Sequence, residues 1–363
     1  MNDECPECRD YAADGRPFCG ACGRSFEDIM PDEGLYDSAD DDPLYDTDDV
    51  GPERTHPDFI DIFFPVLCAF FIFIAVFEAI VLAVHSGDVF SFLSNLNVGF
   101  YILTPSPEII FRLQGSAMQA YWVILVIIIL LCVAVAIWNF IKTIRDSGGV
   151  TRPGAVEGTA VFWVSILLCA YVFVTITITY LLLAAGSGVT SPFFGDETAQ
   201  MFFFANASVW EEIITRLLFI GVPMAVISLI ITKKKESLRC LLGGFGMSTA
   251  AVIFIIISGA IFGLAHYSGW DDQAWKVITT GMMGIFLGYV FVRFGLYASI
   301  LMHFIMDYLS SFLWIGGAEI DALVTMLIFG VGFVALCYIV WKLLISKESI
   351  ESLPLFRNGY GEK

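Results

Sequence analysis

Residues 202–231 read FFFANASVWEEIITRLLFIGVPMAVISLII and are apolar apart from a short charged motif. A helix needs about 20 such residues to cross a bilayer. Inside this run lie Glu211, Glu212 and Arg216. A charged side chain at the centre of a bilayer costs between about 2.5 and 17 kcal/mol, so charges kept there usually serve a function. The stretch therefore predicts a membrane helix that carries part of a functional site.

The rest of the chain repeats this apolar character. Of its 363 residues, 57% are hydrophobic and only 15% are charged, whereas a soluble protein carries about 25% charged residues. From residue 58 to residue 348 the sequence predicts a membrane domain. Its eight expected spans are 59–84, 119–143, 160–186, 202–231, 241–265, 274–292, 295–315 and 322–346. The predicted fold is an all-α polytopic membrane protein with about eight transmembrane helices and a cytosolic tail at 349–363.

The charge is concentrated before the first span. Residues 1–58 hold 18 Asp or Glu against 4 Lys or Arg, which gives −14 of the net charge of −18. Residues 27–57 are acidic and rich in Pro and Gly, a composition that predicts a disordered linker because it cannot bury enough apolar surface. The acidic excess also argues against nucleic acid as a partner, since binding to phosphates needs Lys and Arg.

Four cysteines near the N-terminus have the spacing of a zinc site. Cys5, Cys8, Cys19 and Cys22 form C-x2-C-x10-C-x2-C within residues 1–26. Four thiolates fill the tetrahedral shell of a structural zinc ion and leave no open position for catalysis. Two disulfides are the alternative, but no signal peptide precedes the cysteines, and paired cysteines in the cytosol usually bind metal. We therefore expect a zinc ribbon that resembles those at the ends of many bacterial and archaeal proteins, with an unknown protein partner.

The distribution of Lys and Arg predicts the orientation. With the N-terminus in the cytosol, twelve bases fall in cytosolic connections and the C-terminal tail, and only Arg112 and Lys276 fall in outer loops. Cytosolic loops carry an excess of Lys and Arg. The sequence thus predicts a multi-pass protein of the cell membrane with both termini in the cytosol.

Three predicted spans carry ionisable residues at helical spacing. Glu212 and Arg216 are four residues apart, so they can neutralise each other on one helix face. They serve either as a structural ion pair or as a clamp for a substrate carboxylate. Two further spans contain SGAIFGLAH, which ends at His266, and ASILMHFIMDYLS, which contains His303 and Asp307.

A carboxylate with imidazole neighbours can deprotonate water, the step that peptide hydrolysis requires. Glu211, His266 and His303 could also hold a catalytic zinc with one position left for water. A lone histidine in a membrane helix is more often an interhelical hydrogen-bond partner. Acids and histidines on three separate spans are harder to explain by packing, because each desolvated charge needs a partner.

The ordered motifs E-E-x-x-x-R, F-x-x-x-H and H-x-x-x-(N/D) resemble those of the CAAX-protease and bacteriocin-processing family of intramembrane proteases. The resemblance covers roughly residues 200–312 and includes the type II CAAX prenyl endopeptidases. It implies an eight-helix fold, with Glu211 as general base and His266 as its partner in holding water. It places His303 and Asp307 around the oxyanion, the water or a metal ion.

Asp307 stands where the prenyl endopeptidases usually have Asn. A carboxylate is a poor oxyanion donor unless it is protonated, so this position favours a role in orienting His303 or binding metal. The predicted topology also puts Glu211 in the outer half of the membrane, whereas prenyl endopeptidases act on cytosolic tails.

The favoured function is an intramembrane endopeptidase of the metalloendopeptidase class. Its substrate is expected to be a membrane-anchored peptide or protein, prenylated or simply apolar, that reaches the site from the lipid bilayer. A second interpretation is a catalytically silent peptide-binding or bacteriocin-immunity-type protein. A third is a proton-coupled transporter, although residues 59–186 and 202–346 show no repeat of the kind that transporters contain.

Overall fold

The computed structural model describes residues 59–150, 154–189, 196–267 and 273–345. The predicted zinc ribbon (1–26), acidic linker (27–57) and C-terminal tail (349–363) lie outside the described residues, and they stay predictions.

Within the described ranges the chain consists of helices and one small hairpin. The α-helices are α1 (Phe59–Phe92), α2 (Gly115–Asp146), α3 (Ala160–Ala184), α4 (Glu197–Asn206), α5 (Val222–Thr232), α6 (Thr249–Ala265), α7 (Ala274–Phe294), α8 (Leu296–Tyr308) and α9 (Ser311–Ile345). Two π-helical segments join α4 to α5, namely Ala207–Glu211 and Ile213–Gly221. Short 3₁₀ turns cover Leu93–Asn95, Val156–Gly158 and Lys235–Leu242.

Six of the helical stretches are long and apolar enough to cross a membrane. They are Phe59–Asn95, Gly115–Asp146, Ala160–Ala184, Glu197–Ile231, Ala274–Phe294 and Ser311–Leu344. The predicted fifth and seventh spans, 241–265 and 295–315, correspond to the shorter helices α6 and α8. A helix satisfies its own backbone hydrogen bonds, which lipid cannot do. The all-α polytopic membrane fold is confirmed.

Helix starts follow local sequence signals. Thr159, Asp196 and Ser248 stand immediately before α3, α4 and α6, and each side chain accepts a hydrogen bond from the backbone N–H three residues later, at 3.2, 2.9 and 3.2 Å. These residue types are favoured at N-caps because their oxygens satisfy N–H groups that the helix leaves unbonded.

A hairpin between α1 and α2 departs from the all-helical expectation. Strand β1 (Asn97–Ile102) pairs antiparallel with β2 (Glu108–Gln114), with an irregularity after Phe100. The ring of Phe100 packs 5.1 Å from that of Trp210, and the Trp210 indole N–H donates to the Tyr101 carbonyl at 2.9 Å. The hairpin is thereby attached to the helix immediately before the paired glutamates.

Helices α6 and α7 approach closely through glycines. A Cβ on Gly284 would lie 2.9 Å from the Cα of Gly259, and a Cβ on Gly263 would lie 2.9 Å from the Cα of Gly281. Small residues let the backbones of membrane helices pack directly against each other. This contact brings the C-terminal end of α6, where His266 follows, against the first half of α7.

Candidate active site

The paired glutamates lie in the π-helical stretch between α4 and α5. Glu211 ends the first π-helical segment, and Glu212 separates it from the second. Short π-helical insertions are rare and occur frequently at functional sites. Adjacent helical residues point in different directions, so the two carboxylates enter different surroundings.

Glu212 belongs to a fully buried polar cluster. Its side chain and that of Arg216 both have 0% exposure, and the Arg216 Nε–H donates to Glu212 Oε2 at 3.1 Å. The Nη1–H of Arg216 donates to the Ser258 hydroxyl at 2.7 Å, and that hydroxyl donates to the Thr215 carbonyl at 3.0 Å. A buried ion pair is tolerated when further hydrogen bonds complete it. Arg216 thus joins the motif helix to α6, and its Nη2 is buried without a hydrogen-bond partner among the described residues.

The α8 helix contacts the same carboxylate from another side. The Ser299 hydroxyl donates to Glu212 Oε2, and His303 Nδ1–H donates to Glu212 Oε1 at 3.0 Å. Glu212 thus connects the motif helix to α8 and holds one ring nitrogen of His303. This hydrogen bond determines which edge of the His303 ring is directed toward the rest of the site.

Glu211 points away from this cluster, towards the two histidines. Its Oε2 lies 3.8 Å from His266 Nε2 and 4.0 Å from His303 Nε2. Asp307 Oδ2 lies 3.4 Å from the same His303 nitrogen. The side chains of Glu211 and His266 are each 19% exposed, but Glu211 Oε2 itself is buried and has no hydrogen-bond partner among the described residues.

The ring nitrogens of both histidines are assigned by their other contacts. His266 Nδ1 lies 2.8 Å from the Phe262 carbonyl oxygen, which can only accept, so this nitrogen carries the hydrogen. The same argument applies to His303 Nδ1 on Glu212. In the neutral rings both Nε2 atoms are then acceptors. Two neutral rings would therefore present nitrogen acceptors 3.8 and 4.0 Å from Glu211 Oε2.

A cavity of about 690 Å³ opens onto these acceptors, within the range of 300–1,000 Å³ typical of ligand pockets. Glu211, His266, His303 and Asp307 line it, and Glu212 and Arg216 do not. Much of its remaining wall is aromatic or apolar. Those residues are Tyr171, Phe203, Phe204, Phe262, Met283 and Met306.

The structure brings together all six predicted site residues and separates them into two groups. The cavity lies among the predicted fourth, fifth and seventh spans, and α3 and α7 line it too. Sequence reasoning missed Ser258 and Ser299, although both stand in the quoted stretches, because serines are common in apolar helices. It also assigned Lys276 to an outer loop, whereas Lys276 lies in the first turn of α7 and lines the cavity.

The region that builds this cavity also has a recognisable family pattern. Residues 198–309 match the family model described as Type II CAAX prenyl endopeptidase Rce1-like. The match covers about a third of the chain and includes the paired glutamates, both histidines and Asp307. It supports a membrane peptidase. No curated protein and no solved structure matches the chain.

The donor types around the cavity suit zinc better than their spacing does. Each histidine gives its second ring nitrogen to an acceptor, as metal-bound histidines usually do. Ligands of tetrahedral zinc lie about 2.0–2.2 Å from the ion, and so about 3.3–3.5 Å from each other. The Glu211–His266 and Glu211–His303 distances of 3.8 and 4.0 Å are longer. Within the described ranges, no three His, Cys, Asp or Glu side chains form a metal-binding group. The residues as placed do not fit a zinc ion, and catalytic zinc stays a prediction.

Proposed function

We propose that this protein is an intramembrane endopeptidase that hydrolyses a peptide bond of a membrane-anchored substrate. The observation that carries the proposal is the buried Oε2 of Glu211, which lies 3.8 Å from the acceptor Nε2 of His266 and 4.0 Å from Nε2 of His303. A water molecule donates two hydrogen bonds, so it can bridge groups that are too far apart to bond directly. Water held there lies against a carboxylate that can take its proton.

The reaction follows from these positions. The Glu211 carboxylate accepts a proton as the water oxygen forms a bond to the peptide carbonyl carbon, and the carbonyl π electrons move to oxygen. When the tetrahedral intermediate collapses, the C–N bond breaks. Glu211 returns the proton to the leaving nitrogen and becomes a carboxylate again. His266 orients the water, and a protonated His303 would donate its Nε2–H to the oxyanion.

Asp307 contacts His303 on the cavity side, opposite Glu212. We propose that it orients this imidazole and balances its charge, since an ionised carboxylate has no proton to donate to an oxyanion. This assignment uses the 3.4 Å contact and requires no metal ion.

The character of the cavity wall supports an apolar substrate. Aromatic and methionine side chains line much of it, and Met adapts to apolar surfaces of irregular shape. We propose that the enzyme accepts a peptide with a prenyl group or another apolar segment, which enters from the bilayer. The family match at residues 198–309 supports this class.

A cleavage assay tests the proposal. Purified protein in detergent is incubated with a quenched fluorescent prenylated peptide. We expect Glu211→Gln to lower kcat by about 10²- to 10⁴-fold, the usual contribution of a general base, and His266→Ala to lower it as well. Glu236→Gln, which removes an exposed carboxylate outside the cavity, should retain full activity.

The same cleavage assay with a metal chelator added tests whether the activity requires a metal ion. Activity that survives chelation supports water activated by Glu211 alone, and activity that is lost to the chelator and restored by zinc supports catalytic zinc. If the wild type cleaves neither this peptide nor a broad panel of apolar peptides, the endopeptidase proposal is wrong.

A further inference from the structure

The connection between α5 and α6 concentrates positive charge. Residues 233–239 read KKKESLR, which is four bases against one acid. All four bases are exposed, namely Lys233, Lys234, Lys235 and Arg239. The predicted topology places this connection on the cytosolic side of the membrane. Basic segments beside a membrane attract anionic lipids, which are enriched in the cytosolic leaflet.

The connection continues as a 3₁₀ helix, Lys235–Leu242, that carries exposed leucines beside the bases. Side chains three residues apart line up in a 3₁₀ helix. Ser237 and Cys240 are buried and form its inner row. The two outer rows carry Leu238, which is 53% exposed, and Leu242, which is 63% exposed. Bases next to exposed apolar side chains are typical of segments that lie in the membrane interface.

The inner row is fixed to the membrane domain. The Ser228 hydroxyl of α5 donates to the Ser237 hydroxyl at 2.8 Å. A Cβ on Gly221 would lie 3.0 Å from the Leu241 carbonyl oxygen, so the 3₁₀ backbone rests directly on the end of the second π-helical segment. Just beyond the 3₁₀ helix, the Gly244 N–H donates to an α7 carbonyl at 2.9 Å. These contacts hold the two outer rows in a fixed position on the surface.

Lys233 has a backbone conformation that glycine usually provides. Its φ of 55° and ψ of 20° are left-handed, and among the described residues it is the only non-glycine with a positive φ. Glycine adopts this conformation without strain and is the commonest residue just after a helix. A lysine at this position indicates that its charge has a use that offsets the strain.

We propose that residues 233–242 bind the headgroups of anionic phospholipids in the surrounding bilayer. The bases complement the charge of the phosphates, and Leu238 and Leu242 extend into the adjoining acyl chains. Free phosphate offers the same charge, but it gives the exposed leucines nothing to contact, so the surface fits a lipid better. Residues 233–242 do not line the cavity, and the proposal does not depend on the peptidase function.

A thermal-shift titration tests the proposal. Full-length protein in an uncharged detergent is titrated with dioleoylphosphatidylglycerol or, separately, with dioleoylphosphatidylcholine, and Tm is measured. A ligand that binds only the folded state raises Tm by mass action. We expect the anionic lipid to raise Tm, less so at high salt because exposed charges are screened. Phosphatidylcholine and inorganic phosphate should leave Tm unchanged.

A double variant tests the assignment to this segment. Lys234 and Arg239 also interact within the protein, so Lys233 and Lys235 are the residues to change. Lys233→Gly/Lys235→Gln removes two charges and relieves the left-handed strain, so the variant should fold. Each base near an anionic surface contributes about fivefold in affinity. We therefore expect the variant to need about 25-fold more phosphatidylglycerol for the same rise in Tm.

The matched control is Lys142→Gln/Arg145→Gln, which removes two exposed bases from the end of α2 on the same predicted side. It should respond to phosphatidylglycerol as the wild type does. A wild-type Tm that the anionic lipid does not raise, or that phosphatidylcholine or phosphate raises equally, overturns the proposal. So does an unchanged response in the double variant. An equal loss in the control would mean that the lipid senses the total charge of this membrane face, which also overturns the assignment to residues 233–242.

Discussion

At the scale of single residues, Glu211 and Glu212 show how two adjacent carboxylates acquire different surroundings. Glu212 is fully buried and receives hydrogen bonds from Arg216, Ser299 and His303. Glu211 lines the cavity, and within the part of the chain that the structure describes one of its oxygens is buried with no hydrogen-bond partner. The oxygens of Glu212 are therefore occupied by hydrogen bonds within the protein. An oxygen of Glu211 can instead bond a reactant in the cavity.

This difference predicts a stability effect for Glu212. Glu212→Gln should lower the free energy of unfolding by about 3–5 kcal/mol, because Arg216 would stay buried without its countercharge. Thermal unfolding in detergent, read as Tm, measures it. Glu211→Gln, at the neighbouring position, should keep a Tm close to that of the wild type while losing activity. If Glu212→Gln has the wild-type Tm and still loses activity, Glu212 acts in the chemistry rather than in the support of the site.

At the scale of elements, the contact between α6 and α7 helps to position the end of α6, which His266 follows, beside the cavity. The two helices touch through glycine backbones, which places the end of α6 beside the cavity. His266 is the residue immediately after α6, and its Nδ1–H bonds the Phe262 carbonyl one turn earlier. A change in the separation of these helices would therefore move the imidazole relative to the carboxylate.

Gly284→Ala tests this dependence. The new Cβ would lie 2.9 Å from the Cα of Gly259 and 3.1 Å from the Cβ of Phe262. We expect the helices to separate, at a cost of about 1–3 kcal/mol, with a lower Tm and a reduced kcat. Gly330→Ala is the matched control, since a Cβ on Gly330 would have no neighbour within 4 Å among the described residues. Equal Tm values for the two variants would contradict the role of the glycine contact.

At the scale of the whole molecule, orientation decides which side of the membrane supplies the substrate. The excess of Lys and Arg in alternate connections predicts that both termini face the cytosol. A C-terminal fusion to green fluorescent protein should fluoresce, and a fusion to alkaline phosphatase should be inactive, because the first folds in the cytosol and the second outside it. The reverse pattern would invert the proposed topology.

The zinc ribbon is a second property of the whole chain. We propose that Cys5, Cys8, Cys19 and Cys22 bind a structural zinc ion. Metal analysis of the full-length protein should then find about one zinc per chain, as expected for a closed four-thiolate site. The double variant Cys5→Ser/Cys8→Ser should lose this zinc and keep peptidase activity. Zinc that stays bound in the double variant would contradict the ribbon and indicate a site elsewhere.

The sequence by itself determined the membrane-helical fold, and it predicted the six ionisable residues that the candidate site brings together. Long apolar runs predict spanning helices because a helix satisfies its own backbone in lipid, and charges inside those runs stand out because burying them is costly. The i, i+4 spacing likewise indicated the pair of Glu212 with Arg216.

Only the tertiary structure decided which carboxylate faces the cavity and which is buried. It also decided that Ser258 and Ser299 complete the buried cluster, and that Lys276 lines the cavity instead of an outer loop. These outcomes depend on contacts between helices that are distant in the chain. Periodicity reports the face of one helix and carries no information about which other helix will pack against it.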